Sequence, residues 1–121
     1  MTQYLITGAN RGLGLEFVRQ LLERGERVIA ACRHPGRAGA LNRFSGAFPG
    51  HLKVLPLDVS DDAQIAACFD ALGKHWDGFD ILIHAIAFAP REAIAGQYLD
   101  GLTRENFAIA HDISSYSLAA M

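Results

Sequence analysis

Three glycines near the amino terminus have a spacing that suits the binding of a dinucleotide. They follow a short apolar run and precede a helical pattern, which is the strand-to-helix context that such a loop requires. Gly8 would allow a tight turn, Gly12 would let the backbone approach a pyrophosphate, and Gly14 would let the helix pack on the strand. Free N–H groups at the helix start would face the phosphates. The candidate loop residues are Gly8, Asn10, Arg11, Gly12, Leu13 and Gly14. The alternative is a glycine-rich turn without a ligand.

The residues after the second apolar run bear on which dinucleotide is preferred. An acid there would bind the ribose 2′-hydroxyl of NAD(H), but the chain has Cys32 and Arg33 at this point. Arg33 could pair with a 2′-phosphate, and Arg11 could reach the same group. Both residues favour NADP(H) over NAD(H). The alternative for each is a solvated surface arginine.

Asp58 and Val59 come directly after the third apolar run, at the edge where open α/β sheets bind ligands. Asp58 is a candidate acceptor for the adenine amino group, although an aspartate here is also typical of a turn or a helix start. His84 lies inside an apolar strand and is predicted to be packed and hydrogen-bonded, not catalytic. The other four histidines lack metal-ligand spacing, so no metal site is predicted.

Alternating patterns predict the scaffold that positions these residues, with apolar runs as strands and i, i+3, i+4, i+7 stripes as helices. The predicted strands are residues 4–7, 28–32, 52–57 and 79–86. Helices are predicted from Gly12, over residues 37–47, after a cap at Ser60, and after a cap at Thr103. A long loop is predicted over residues 87–102. The faces predicted to turn inward are Leu13, Phe17, Val18, Leu21 and Leu22 in the first helix, and Phe107, Ala110, Ile113, Ser114 and Ser117 in the last.

This order predicts one α/β domain over residues 1–121, a Rossmann-type half whose parallel sheet has the order 3-2-1-4 and helices on both faces. Pro56 agrees with a sheet edge for strand 3, because proline cannot donate to a ladder on both sides. Strand 4 would form the other edge, apolar and without protecting charges. We therefore expect a homodimer, formed through that edge or through the small face of the last helix.

Composition excludes several classes of protein. The net charge of -2 gives no reason to expect nucleic acid or an anionic membrane as a partner. Cys32 and Cys68 lie far apart in the sequence, so neither a disulfide framework nor a zinc site is expected. No signal peptide or membrane-spanning run is found, which together with the cysteines predicts a cytoplasmic protein.

Two family resemblances cover nearly the whole chain. Residues 1–60 resemble classical short-chain dehydrogenases/reductases, through the glycine spacing and the pair Asp58-Val59. Residues 61–121 resemble the bacterial enoyl-acyl-carrier-protein reductases of the same superfamily. The runs that carry this second resemblance are Leu72-Gly73-Lys74-His75-Trp76, Phe79-Asp80, His84-Ala85-Ile86-Ala87-Phe88-Ala89-Pro90, Thr103-Arg104-Glu105-Asn106-Phe107 and His111-Asp112-Ile113-Ser114-Ser115-Tyr116-Ser117.

The resemblance implies that Ala85, Ile86 and Ala87 line the ribose and nicotinamide side of the cofactor. It also implies a catalytic tyrosine and lysine on a later helix, after a fifth strand. Tyr98 and Tyr116 do not replace them, since neither is followed by a lysine three or four residues later. No catalytic residue is therefore assigned, and whether the chain is an enzyme stays open.

The two resemblances together predict a chimera joined near residues 57–64, because enoyl reductases usually have a longer, serine-containing loop in place of the glycine motif. The leading interpretation is an NAD(P)(H)-binding portion of a short-chain reductase with little or no activity alone. One alternative is a fragment of an enoyl-acyl-carrier-protein reductase that is active only with its catalytic half. Another is a structural fragment that associates with itself. Many relatives of the second half of the chain use NADH, whereas the residues of the first half favour NADP(H).

Overall fold

The computed structural model describes residues 1–121 and contains one four-stranded parallel sheet. The strands are β1 (Gln3–Thr7), β2 (Arg27–Cys32), β3 (Leu52–Pro56) and β4 (Ile81–His84). Their order, β3-β2-β1-β4, is the order predicted from the sequence. Parallel strands need crossovers, and the helical segments between the apolar runs supply them.

Three helices connect the strands: α1 (Gly12–Glu23), α2 (Gly39–Ala47) and α3 (Asp62–Gly73). A short 3₁₀ turn, Pro35–Arg37, precedes α2, so this helix begins two residues later than predicted. The chain forms two compact units, residues 1–85 and residues 86–121. The first unit holds the sheet and these helices. The assignment of residues 1–121 to a single domain stays a prediction.

The second unit is helical, and it corrects the prediction of a long loop over residues 87–102. That stretch contains the single-turn helices α4 (Arg91–Ile94) and α5 (Tyr98–Gly101). A Cβ at Gly101 would overlap the Glu92 carbonyl oxygen, so the two turns pack too closely for any other residue. Such short helices carry little periodicity for a sequence pattern to reveal.

The predicted last helix begins as expected and then changes from α-helical to π-helical geometry. The Thr103 hydroxyl accepts the Asn106 N–H at 3.0 Å and caps α6 (Arg104–His111), as predicted. A π-helical segment, Asp112–Tyr116, and α7 (Ser117–Ala120) follow. None of the helices in the chain is both long and apolar enough to cross a membrane.

The core lies where α1 and α2 cover the sheet, and it is built from fully or almost fully buried aliphatic residues. These include Ile6, Val18, Leu21, Leu22, Val28 and Leu41. The predicted inward faces are wrong at three residues: Leu13 is 76% exposed, Phe17 45% and Phe107 61%. Leu13 and Phe17 belong to α1, and a helix that rests on a sheet buries only a narrow stripe, so the flanking positions of its apolar pattern remain in solvent.

Strand β4 is shorter than the predicted strand 79–86, because its partner ends early. Tyr4 to Thr7 of β1 pair with Ile81 to His84, and β1 then turns away at Gly8. Ala85 and Ile86 consequently have no ladder partner. Before the strand, Asp80 is tied to Gln3 by an N–H···O bond in each direction.

Asp61, not Ser60, is the N-cap of α3, which corrects the sequence-based prediction. Its Oδ1 accepts the N–H groups of Ala63 at 3.0 Å and Gln64 at 3.3 Å. The Ser60 hydroxyl instead donates to Asp58. Both side chains are ordinary capping residues, so only the backbone geometry decides which one caps.

Replacing Asp61 with alanine should therefore cost more stability than replacing Ser60. We expect Asp61→Ala to lower the free energy of unfolding by about 1 kcal/mol, the usual effect of losing an N-cap. Urea denaturation of the two variants beside the parent chain measures this difference. A larger loss in Ser60→Ala would contradict the assignment of the cap.

Candidate functional site

The glycine loop between β1 and α1 has the geometry of a close helix–strand junction. Gly8 has a φ of 57°, a left-handed conformation that glycine adopts without strain. A Cβ added to Gly14 would overlap the Gly8 carbonyl oxygen and approach the Gly8 carbonyl carbon to 2.8 Å. The helix can therefore pack against the loop only with glycine at position 14, as the sequence predicted.

Gly12 faces open space instead. A Cβ at this position would meet no atom within 4 Å, and its φ of 57° is again left-handed. No side chain caps the start of α1, where Arg11 is the N-cap. The N–H groups of its first turn are thus available to a ligand, and a helix start with such groups favours a phosphate. Asn10, Arg11 and Leu13 are exposed around this opening.

Arg33 and His34 follow β2 directly and are both exposed. They line one side of an open groove of about 420 Å³, whose other lining residues come from β3 and α3. These are Pro56, Gln64, Ala67, Cys68 and Ala71. Burial raises the pKa of the Cys68 thiol, so the floor of the groove is neutral at ordinary pH. The groove therefore combines a mainly uncharged floor with two basic side chains.

Asp58 lies in a turn between β3 and α3 and is held by Ser60. Its Oδ1 accepts the Ser60 hydroxyl at 2.6 Å and the Ser60 N–H at 3.0 Å. These two bonds lower the pKa of Asp58, and the charges of Arg33 and His34 lower it further. Asp58 is accordingly a carboxylate with one oxygen engaged inside the turn. Its role toward an adenine stays a prediction, as does that of the buried Val59.

Gln64 is a site residue that sequence reasoning missed. Its Oε1 accepts the Asp58 N–H at 2.9 Å, and its Nε2 donates to Asp61 Oδ2 at 3.4 Å. The side chain thereby holds the turn from residue 58 to 61 in place. A glutamine three residues after an N-cap acid resembles a capping box, and that spacing was the available signal.

His84 is packed and hydrogen-bonded, as predicted. Its Nδ1 lies 2.8 Å from the Thr7 hydroxyl, across the paired ends of β1 and β4. Burial lowers the pKa of His84, which favours the neutral ring. The histidine thus helps to tie β4 to β1 at the edge where ligands bind in parallel sheets.

Parallel pairing brings most of the predicted site to one edge of the sheet. The glycine loop, Arg33, Asp58-Val59 and Ala85 follow β1, β2, β3 and β4 in turn, so all lie at carboxyl ends. Ile86 and Ala87 come next in the chain, outside any regular element. Within the helical unit, the Ser114 Oγ accepts the Phe88 N–H at 2.8 Å and donates to the Phe88 carbonyl at 2.9 Å.

Comparison with known proteins defines the class to which this fold and loop belong. A family model described as enoyl-(acyl carrier protein) reductase matches residues 8–121. The chain belongs to this family of short-chain dehydrogenases/reductases.

The curated relatives include the NADH enoyl-acyl-carrier-protein reductase FabI of Haemophilus influenzae, 40% identical over 119 residues. That match covers 97% of this chain and 45% of the relative. FabI of Salmonella typhimurium is 39% identical with the same coverage. The chain therefore spans somewhat less than half the length of these curated relatives.

Solved structures show the same fold. An NADPH-bound carbonyl reductase from chicken fatty liver superimposes with a TM-score of 0.86 and 30% identity, over 99% of this chain and 45% of that one. A short-chain dehydrogenase/reductase from Burkholderia multivorans with bound NADP gives 0.81 and 26%, over 98% and 50%. Both the curated relatives and these structures match the chain almost throughout.

Proposed function

We propose that this chain is the nucleotide-binding portion of a short-chain reductase and binds NAD(P)(H) through the loop of residues 8–14. One observation carries the proposal: the loop is closed at Gly14 by contact with Gly8 and left open at Gly12, beside an uncapped helix start. A pyrophosphate needs both features, a firmly seated helix and room at its N-terminus. The names of the two solved relatives, one with NADPH and one with NADP, support the same ligand class.

We further propose that NADP(H) binds more tightly than NAD(H). Arg33 stands where an NAD-preferring protein usually has an acid, and no carboxylate forms an ion pair with it. Arg11 is exposed at the start of α1 and is the second candidate for a 2′-phosphate. The FabI relatives are named as NADH enzymes, so the preference is a point on which this chain would differ from them.

Calorimetric titration with NADPH, NADH and ADP-ribose tests both proposals. We expect NADPH to bind at least tenfold more tightly than NADH, since a charge-assisted hydrogen bond is worth about 1.5–3 kcal/mol. Arg33→Ala should remove most of that difference while leaving the affinity for NADH unchanged. Arg43→Ala, which removes an exposed arginine that does not line the groove, is the matched control. Equal affinities for the two cofactors would refute the preference alone.

For the whole protein we propose reduction of an enoyl thioester by the bound nicotinamide cofactor, as the family name suggests. The cofactor supplies the hydride, and residues 1–121 bind and orient its nucleotide half. None of the three tyrosines in this sequence is followed by a lysine at the third or fourth position. We therefore propose little or no hydride transfer by the 121-residue chain alone, which an assay with crotonyl thioesters and either cofactor measures.

The origin and location of the chain are also proposals. A classical glycine loop in front of an enoyl-reductase-like second half favours a chimera joined near residues 57–64. The almost complete matches to both FabI and carbonyl reductase agree equally well with a single ancestry. Free buried thiols at Cys32 and Cys68 are in keeping with the reducing cytoplasm.

We propose that two copies associate through the edge of β4. This strand pairs with β1 on one side, no strand pairs with its other side, and Ile81 is 41% exposed. An apolar edge without proline or charge is a template for strand pairing.

Sedimentation of the parent chain is expected to give about twice the monomer mass of 13.1 kDa. Ile81→Lys should return it to the monomer, because a charged edge opposes pairing. Leu118→Lys changes an exposed residue of α7 and should leave the dimer intact. If Leu118→Lys alone dissociates the dimer, association runs through the last helix instead.

A further inference from the structure

Gln64 is the third residue of α3, and its side chain does not make the contact that is usual at this position. In a capping box, the third side chain of a helix accepts the N–H of the N-cap residue. Here the N–H of the cap, Asp61, already donates to the Asp58 carbonyl at 3.1 Å. The Gln64 Oε1 reaches further back and accepts the Asp58 N–H at 2.9 Å. Gln64 therefore holds the residue that leaves β3 instead of the N–H of the cap.

The bond from Gln64 completes the fixing of the backbone at the carboxyl end of β3. The Leu57 N–H donates to the Cys32 carbonyl at 2.8 Å, so the peptide group before Leu57 is held by β2. The peptide group after Leu57 carries the Asp58 N–H, which Gln64 holds. Because peptide groups are planar, these two bonds leave the backbone little freedom around Leu57. The direction in which Asp58 leaves the sheet is therefore set by a side chain of α3.

This direction matters because Asp58 has one carboxylate oxygen left for a ligand. Its Oδ1 accepts the Ser60 hydroxyl and N–H, whereas its Oδ2 takes part in no hydrogen bond within the chain. The bonds from Ser60 hold the pKa of Asp58 below its ordinary value, so the side chain is a carboxylate at neutral pH and can only accept hydrogen bonds. Such an acceptor suits the amino group of a 6-aminopurine and repels the carbonyl oxygen of a 6-oxopurine. A site built to bind an N–H group in this way discriminates against an analogue that lacks it.

Gln64 is also half-buried in the wall of the groove beside α3, which Arg33 and His34 line from the end of β2. Its Oε1 is bound to Asp58, and its Nε2 donates to Asp61 Oδ2 at 3.4 Å. Both polar atoms of the side chain are thus engaged with the turn. Gln64 is therefore suited to support the turn and not to bind a ligand itself.

We propose that Gln64 is a positioning residue for the base of the nucleotide. By holding the Asp58 N–H, it fixes the free oxygen of Asp58 in the direction of a purine 6-amino group, and so makes the site select adenine over a 6-oxopurine. This inference rests on the proposed nucleotide binding and on the adenine contact predicted for Asp58. Gln64 acts on the base only through that turn.

The pair 5′-ADP and 5′-IDP isolates this effect, since the two ligands differ only in the purine 6-substituent and the N1 proton that accompanies the 6-oxo group. In calorimetric titrations of the parent chain, we expect ADP to bind about tenfold more tightly than IDP, or better, because a hydrogen bond to a charged group is lost with IDP. Gln64→Ala should reduce this ratio to about threefold or less by weakening ADP binding, with little change for IDP.

Two further variants separate the lost hydrogen bond from a general loosening of the protein. Gln64→Glu keeps an acceptor for the Asp58 N–H and should restore most of the parental ratio. Gln20→Ala is the matched control, because it removes the side chain of an exposed glutamine on α1, outside the groove. It should bind both ligands like the parent chain. Circular dichroism of each variant checks that the fold is retained.

The outcomes that contradict the inference differ from those that contradict nucleotide binding. Equal affinities of the parent chain for ADP and IDP, or an unchanged ratio in Gln64→Ala, would show that Gln64 does not position a group that recognises the base. The same low ratio in Gln64→Glu as in Gln64→Ala would show that the bond to the Asp58 N–H is not the cause. Failure of both nucleotides to bind the parent chain would instead remove the proposed function itself.

Discussion

Gly14→Ala is expected to be strongly destabilising, with a loss of about 3 kcal/mol in the free energy of unfolding. The added methyl group would occupy the position of the Gly8 carbonyl oxygen. The obstacle is backbone, so no side-chain rotation can relieve the overlap, and α1 would have to move away from β1. Chemical denaturation followed by circular dichroism measures this loss.

Gly46→Ala is the matched control for that experiment. Gly46 lies in the last turn of α2, and a Cβ there would meet no atom within 4 Å. Alanine is favoured over glycine by up to about 1 kcal/mol in a helix interior and by less near a helix end, so this variant should be as stable as the parent chain or slightly more so. A Gly14→Ala variant with parental stability would show that the loop and helix can separate, and that Gly14 is not needed for packing.

Gly12→Val, unlike Gly14→Ala, should abolish nucleotide binding and retain the fold. The valine side chain would enter the space proposed for the pyrophosphate, and its Cβ would meet no protein atom within 4 Å. We expect the affinity for ADP-ribose to fall by about a hundredfold or more, because the phosphates could no longer reach the helix start. The left-handed φ of Gly12 adds a strain of about 1–2 kcal/mol, which a folded domain usually survives.

Gly50→Val is the control that separates the effect of backbone strain on stability from the loss of nucleotide binding. Gly50 also has a left-handed φ, 81°, and open space around its Cβ, but it lies in the turn before β3. It should lose similar stability and still bind ADP-ribose normally. If Gly12→Val unfolds while Gly50→Val does not, the smaller Gly12→Ala tests the site in its place. Normal binding by a folded Gly12 variant would exclude the glycine loop as the binding site.

Local pattern was sufficient for the strands and their order. Short apolar runs alternate with helical stripes, and a parallel sheet with right-handed crossovers leaves few arrangements for four such strands. Pro56 marked one edge of the sheet, and β3 indeed lies there. The roles of Gly8 and Gly14 could also be inferred, because both depend on backbone conformation close to the residue itself.

Where contacts join distant residues, the same patterns were less reliable. Ser60 and Asp61 are equally good caps by composition, and the choice depended on the backbone, which begins α3 at Asp62 and so makes Asp61 the cap. Leu13 and Phe17 fit the apolar period of α1 but lie beyond the stripe that the sheet covers. The length of β4 was set by the end of β1, almost eighty residues earlier in the chain.

The sequence by itself therefore determined the fold class, the strand order and the glycine loop that is the candidate nucleotide site, because periodicity and glycine spacing are properties of neighbouring residues. Only the tertiary structure decided how the site is assembled. It placed Arg33 and His34 on one groove with α3, engaged one oxygen of Asp58 with Ser60, and recruited Gln64 to hold the turn. These arrangements depend on which side chains meet after the strands pair, and the residues next to each position in the sequence do not reveal those contacts.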